Sequence, residues 1–220
     1  MGNSTLADFM PYIQSDVIGV NRPTLERMIR LTIVEFCEKT WILTKGITHT
    51  VDSDDPDTDM FDSIIINTKG YFRYHRPFAI KELRVDGVPW DMKYMEMTND
   101  SNYIEDMRGS GTKIFEIYNT YSIRIAPFSS SAEVFIVAAF VPLLDMTYVD
   151  DRIYNDWVEA IAAGVKMRLM DTPGKFYTNH PAANRWERIY RSKISDARRR
   201  MNKQHSGQSG HVNPREFGFM

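Results

Sequence analysis

The sequence predicts an α+β protein, because segments with helical periodicity flank a long run of strand-like segments. Helical patterns occupy residues 23–41 and 150–203, and short β-branched or aromatic runs separated by turn signals occupy residues 42–141. The apolar periodicity ends near residue 204. We expect a small bundle of one N-terminal and two C-terminal helices, an inserted β-sandwich or barrel-like domain, and an extended C-terminal arm.

The composition is that of a folded globular protein. Of the 220 residues, 43% are hydrophobic and 25% are charged, and the net charge of -2 gives no general reason to bind nucleic acid or an anionic membrane. The N-terminus has neither a basic region nor an apolar run, so we expect no signal peptide or membrane-spanning segment. Cys37 is the single cysteine, which excludes an intramolecular disulfide.

The first helical pattern begins at Pro23, a residue favoured in the first turn of a helix. Its apolar residues recur every three or four positions, with charged residues on the opposite face. Trp41 ends the pattern. Such a helix cannot bury its apolar stripe alone, so we expect it to pack on the helices near the C-terminus.

Eight strands are predicted in the middle of the chain. They cover residues 42–50, 63–66, 71–74, 79–85, 93–98, 113–118, 122–125 and 133–140. Asp86-Gly87 is a hairpin signal, and Asn119-Thr120 is a second one. An acidic loop from Asp52 to Asp59 lacks the glycine and glutamate of an EF-hand and is interpreted as solvated.

Two further helices follow, separated by the stop signal Thr172-Pro173-Gly174. Asp150 and Asp151 suit the start of the first, and Lys166 and Arg168 suit its end. The second is rich in arginine and runs from about residue 181 to 203. We therefore divide the chain into a helical part (1–41 and 142–204), a β-rich insertion (42–141) and a docking arm (205–220).

The arm is polar at first and aromatic at its end. Residues 204–210 have too little apolar surface to offset the entropy of ordering them, so we expect flexibility there. The sequence nevertheless closes with Phe217, Phe219 and Met220. Exposed aromatic side chains gain free energy only by burial, which predicts docking on a partner.

Arg198, Arg199 and Arg200 stand near the end of the last helix. Three interpretations remain open for them: solvated charge that complements the helix dipole, a docking surface for an acidic partner, and direct phosphate contact. Aromatic residues are not interleaved with these arginines as in single-strand binders.

No catalytic or metal-binding constellation is evident. The five histidines are scattered without metal-ligand spacing, and Gly109-Ser110-Gly111 lacks the lysine of a phosphate loop. We expect no cofactor and no metal. The alternative to a structural role is a carbohydrate-active, cell-wall hydrolase, with Glu82 and Glu116 on predicted strands as its carboxylate pair.

Both ends of the chain resemble the head-to-tail adaptor (connector) proteins of tailed bacteriophages. The N-terminal resemblance is carried by Ile18-Gly19-Val20, Pro23-Thr24-Leu25 and residues 35–41 (EFCEKTW). At the C-terminal end it is carried by residues 156–164 (DWVEAIAAG), Leu169-Met170, Pro173-Gly174-Lys175, Ala182-Ala183 and residues 194–198 (ISDAR). The segments cover about a third of the chain, in the family's order.

The resemblance implies a structural protein of the virion rather than an enzyme. It implies a ring, with twelve copies expected, at the head-tail junction beneath the portal, above a tail or nozzle protein. The viral genome would pass through its channel during ejection without sequence-specific binding. The resemblance assigns portal binding to Arg198, Arg199, Arg200 and the arm with Phe217, Phe219 and Met220. Synthesis would take place in the host cytoplasm, and no membrane is involved.

Overall fold

The chain folds into mixed helix and sheet, as the sequence predicts. The computed structural model describes residues 3–51, 58–59, 63–67, 75–90, 96–98, 114–119, 122–126 and 132–205. Its helices are α1 (Leu6–Gln14), α2 (Arg22–Thr40), α3 (Asp151–Met170) and α4 (His180–His205). Its strands are β1 (Asn3–Thr5), β2 (Thr44–Val51), β3 (Thr58–Asp59), β4 (Ser63–Asn67), β5 (His75–Val85), β6 (Val88–Pro89), β7 (Glu96–Thr98), β8 (Ile114–Asn119), β9 (Ser122–Ala126), β10 (Ala132–Pro142) and β11 (Tyr148–Asp150).

The ends of α2 and α3 follow from their capping residues. Asn21 accepts a hydrogen bond from the Thr24 backbone N–H at 2.9 Å and begins α2. Trp41 ends it in the left-handed conformation, with φ of 55°, and its N–H bonds to the Cys37 carbonyl. Asp150 caps α3 by accepting from the Arg152 N–H at 2.9 Å. The predicted boundaries of both helices are therefore confirmed to within one or two residues.

Helix α1 was not predicted from the sequence. It has nine residues and contains Pro11, which removes a backbone donor and would normally indicate a break. The helix starts where the Asp8 carboxylate accepts hydrogen bonds from the N–H and the hydroxyl of Thr5. Tertiary packing then stabilises it, since Phe9 is fully buried and meets Tyr154 of α3 edge to face at 5.2 Å.

The described strands form three sheets. The four-stranded sheet has the order β2-β10-β5-β6 and is antiparallel, with Ile136 of β10 opposite Ile47 of β2 and Leu83 of β5. The five-stranded sheet has the order β3-β4-β9-β8-β7, and its β7–β8 pair is parallel. β1 pairs with β11 and so joins the N-terminal segment to the start of α3.

The two predicted hairpins connect paired strands. Asp86 and Gly87, with φ of 51° and 75°, turn the chain between β5 and β6, as expected for a tight hairpin. β8 and β9 pair antiparallel beside the second signal, of which Thr120 lies outside the described residues. The predicted strand 71–74, most of the acidic loop and the arm 206–220 also lie outside them.

Buried side chains of the helices and the sheets belong to one continuous hydrophobic core. Phe36 of α2, Trp157 of α3 and Ile136 of β10 are all part of it. Cys37 is buried there too, and burial raises the pKa of its thiol, so the thiol stays protonated at neutral pH. The division into a helical part, a β-rich insertion and an arm stays a prediction.

Helices α2, α3 and α4 approach one another closely at Gly164 of α3. A Cβ atom at this position would lie 2.6 Å from Thr32 Cγ2 of α2 and 3.0 Å from Tyr190 Cε2 of α4. The Tyr190 hydroxyl bonds to the Thr32 carbonyl at 3.5 Å across the same point. Only a residue without a Cβ allows this three-way approach.

We expect Gly164→Ala to lower the free energy of unfolding by about 1–3 kcal/mol, because the added methyl group overpacks the crossing. At an unconstrained helix position the same change would raise the free energy of unfolding by about 1 kcal/mol. The sign of the measured change therefore tells whether the helices approach closely at Gly164. Urea denaturation measures it. Thr32→Ser, which removes the nearest methyl group, should recover part of the loss in the double variant, and a stabilised Gly164→Ala would contradict the close approach.

Candidate docking surface

Arg198, Arg199 and Arg200 lie exposed on the last turns of α4. The helix presents an apolar stripe to the core, including Tyr190 and Ala197, and this amphipathic pattern directs the three arginines outward. The structure therefore brings these three predicted site residues to one end of one helix. Phe217, Phe219 and Met220 lie outside the described residues.

Each of the three arginines already has a partner in its own chain. Arg198 Nε donates to the Lys39 carbonyl oxygen at 2.6 Å and so satisfies an acceptor in the last turn of α2. Arg199 pairs with Asp196 one turn earlier in α4. Arg200 Nη1 lies 3.2 Å from Asp156 Oδ2 of α3, and the Arg200 guanidinium carbon lies 5.8 Å from the centroid of the Trp157 ring. Arg198 is thus a link between two helices as well as a surface charge.

Among the residues that the structure describes, the most exposed large apolar side chains are Ile18 and Phe176, with 77% and 76% of their surface accessible. Ile18 lies in the loop between α1 and α2, and Phe176 in the turn between α3 and α4. The Phe176 ring covers Gly19, where an added Cβ would lie 2.5 Å from Phe176 Cζ. It also meets Tyr177 edge to face at 5.1 Å. We call Ile18 and Phe176, with Gly19 between them, the loop patch.

The loop patch is not evident from the sequence. Periodicity cannot find it, because both residues belong to turns rather than to an amphipathic stripe. The available signal was an aromatic residue only two positions after the helix stop Pro173-Gly174, where polar residues are usual. Isolated apolar residues are normal on surfaces, so only the close approach of the Phe176 ring to Gly19, the neighbour of Ile18, distinguishes this pair.

A buried lysine anchors the loop beside this patch. Lys166 of α3, with 8% of its side chain accessible, pairs with Asp16 and lies 4.1 Å from the centroid of the Trp186 ring. This position corrects the sequence-based role of Lys166 as a cation at the helix end, since α3 continues to Met170. The hydrogen bond and charge of Lys166 lower the pKa of Asp16, with a smaller contribution from Arg185.

Arg185 and Arg188 supply positive charge on the exposed face of α4. Among the described residues, no carboxylate lies within ion-pair distance of either guanidinium. They stand nearer the start of α4 than the three arginines predicted from the sequence. Their charge is therefore more accessible to a partner than that of Arg198.

A cleft of about 460 Å³ lies between α2 and the connection from β10 to β11. Its acid Glu35 bonds to Lys39 and Arg168. Burial favours the neutral acid, but the hydrogen bonds and charges of these two cations outweigh it and lower the pKa of Glu35. An acid held ionised in this way is suited to an ion pair rather than to proton donation.

The two carboxylates of the alternative hydrolase hypothesis lie on different sheets. Glu82 belongs to β5 of the four-stranded sheet and bonds to Arg84, whereas Glu116 belongs to β8 of the five-stranded sheet opposite Arg124. Within the described ranges no group of three His, Cys, Asp or Glu side chains is placed to hold a metal ion. No helix in those ranges is long and apolar enough to cross a bilayer.

No protein-family model matches the sequence, and the search of curated proteins gives no significant match.

We expect Arg198→Ala to lower the free energy of unfolding by about 0.5–1.5 kcal/mol, because it removes a hydrogen bond to the end of α2. Arg199→Ala is the matched control and should cost less, since its ion pair is exposed and lies within one helix. Thermal melts of both variants measure the difference. Equal melting temperatures would show that the Arg198 bond contributes nothing measurable.

We expect Asp16→Asn to lower the free energy of unfolding at neutral pH by about 1–3 kcal/mol, because Lys166 stays buried without a counter-charge. Lys166→Met should cost less, since it leaves Asp16, 41% accessible, to be solvated. The pKa of Asp16 is lower in the folded chain, so its contribution is present at neutral pH and is lost as the pH falls below about 4. Unfolding between pH 2 and 7 should show less acid destabilisation in Asp16→Asn than in the parent.

Proposed function

We propose that this chain is a head-to-tail adaptor of a tailed bacteriophage virion. In this role it forms a ring, with twelve copies expected, beneath the portal at the head-tail junction. The ring joins the capsid to a tail or nozzle protein and continues the channel through which DNA leaves, without sequence-specific binding. The helices act as the ring's bundle, and the β-rich segment acts as an inserted sandwich or barrel-like domain.

The loop patch is the observation that carries this proposal. Ile18 belongs to residues 18–20 and Phe176 directly follows residues 173–175. Both segments contribute to the resemblance to the adaptor family, and the Phe176 ring lies against Gly19. A subunit of a ring carries apolar surface that is exposed in the single chain, because neighbouring copies bury this surface in the ring. Full burial of one side chain of this size contributes about 1.5–3 kcal/mol. We assign the loop patch to the contact between adjacent subunits.

Portal binding is assigned to Arg199, Arg200 and the aromatic arm. The ion pairs of Arg199 and Arg200 are exposed, so exchanging Asp196 or Asp156 for an acidic group of the portal costs little. Arg198 contributes indirectly by holding the end of α2 against α4. Phe217, Phe219 and Met220 add apolar anchors, and the polar residues before them act as a tether.

The proposal is tested by mixing the purified chain with the portal protein of the same phage. Negative-stain images and light scattering should show a monomer or small oligomer alone and a ring on the portal. The double variant Ile18→Ser/Phe176→Ser should lose ring formation. Val88→Ser, which changes another exposed apolar residue, should not. Failure of the unmodified chain to bind portal would overturn the proposal.

A second measurement tests the arm. A chain ending at His205 should lose affinity for portal by about tenfold or more, because each aromatic anchor contributes on the order of 1.5–3 kcal/mol when buried. Phe217→Ala/Phe219→Ala in the full chain should reproduce most of that loss. Unchanged portal binding by both variants would transfer the docking role to Arg199 and Arg200.

A further inference from the structure

A groove lies where the end of α2 meets the last turns of α4. Its volume is about 310 Å³, and its lining includes Trp41 from the α2 terminus, Lys81 from β5, and Arg198 and Met201 from α4. We call it the Trp41 groove. It opens beside the turn of α4 that directly precedes His205, the last described residue.

The walls of the groove are fixed by backbone interactions. Trp41 is held in the left-handed conformation, and its N–H bonds to the Cys37 carbonyl at 2.9 Å. Arg198 bonds to the Lys39 carbonyl at 2.6 Å and keeps α4 against α2. A groove preformed in this way binds a ligand without first ordering its own residues.

The lining combines apolar surface with the cation of Lys81. Trp41 and Met201 supply the apolar part of the lining, and Met201 has 8% of its surface accessible. Among the described residues no carboxylate lies within ion-pair distance of Lys81, and burial lowers the pKa of Lys81. The acid Glu38, also in the lining, is engaged by Arg76 at 3.5 Å. This chemistry fits an aromatic residue beside a carboxylate.

The chain itself carries such a segment, since residues 216–219 read Glu-Phe-Gly-Phe. Met201 precedes His205 by four residues, or about 6 Å along the helix. The linker between His205 and Glu216 has ten residues, 206–215. A polar linker of that length has a root-mean-square span of about 17 Å, so it reaches the groove without full extension. Its effective concentration there is on the order of millimolar.

We propose that residues 216–219 dock in the Trp41 groove of the same chain in the free subunit. A phenylalanine ring packs against Trp41 and Met201, and the Glu216 carboxylate lies beside Lys81. The docked segment covers the apolar end of the arm until a partner competes for it. This inference goes beyond the proposed function, because it concerns the subunit alone and holds whatever that partner is.

Acylation of lysines by a limiting amine-reactive reagent, read out by mass spectrometry, tests the proposal on the full chain. Phe217→Ser/Phe219→Ser should increase the rate of acylation of Lys81 by about two- to tenfold, because the arm segment no longer covers this lysine from its intramolecular site. Lys175, exposed in the turn before α4, is the internal reference and should not change. Val212→Ser is the matched control, since it removes an apolar residue of the arm outside the docking segment.

Glu216→Gln should give a smaller increase at Lys81, because it removes the charge and keeps the rings. Equal rates at Lys81 in the parent and the double serine variant would overturn the proposal. Protection that grows with protein concentration would also overturn it, since the occupant would then be the arm of a second copy. The substitutions lie outside the folded core described above, and no portal is present, so the outcome is separable from misfolding and from the adaptor role.

Discussion

The close approach of three helices at Gly164 constrains the rest of the helical part of the molecule. Because α3 has no side chain at that point, Thr32 of α2 and Tyr190 of α4 both reach its backbone. The crossing brings Phe36 within 5.6 Å of Trp157 between ring centroids. It also places Arg168 of α3 against Glu35 of α2. A larger residue would separate α2 from both C-terminal helices and open the core that they share with the sheets.

The cations of this chain have different roles that their residue type does not reveal. Lys166 is buried and acts through Asp16 and Trp186 to fix the loop between α1 and α2. Arg198 is exposed, yet its hydrogen bond to α2 makes it part of the packing. Arg188 is exposed on α4 with no carboxylate nearby among the described residues. Charge available to a partner is therefore greater near the start of α4 than at its arginine-rich end.

The proposed interactions use surfaces that the core leaves exposed. The loop patch and the Trp41 groove lie at the ends of helices. There the backbone N–H and C=O groups form hydrogen bonds with capping residues and side chains rather than within the helix. Apolar side chains placed there, such as Phe176, cannot reach the core that the helix stripes fill. They remain exposed in the single chain and are suited to association, because burial in a contact is their main source of stabilisation.

The sequence by itself determined α2, α3, α4, the order of most strands and the Asp86-Gly87 hairpin, because helical periodicity, β-branched runs and turn residues are local signals. It also located Arg198, Arg199 and Arg200 as an exposed group. Helix α1 was missed because Pro11 opposes it locally and packing against α3 overrides that preference. Only the tertiary structure decided that Arg198 bonds to a carbonyl 159 residues away, and that Phe176 covers Gly19. Such contacts depend on how helices cross, and no local pattern encodes the distance between two remote segments.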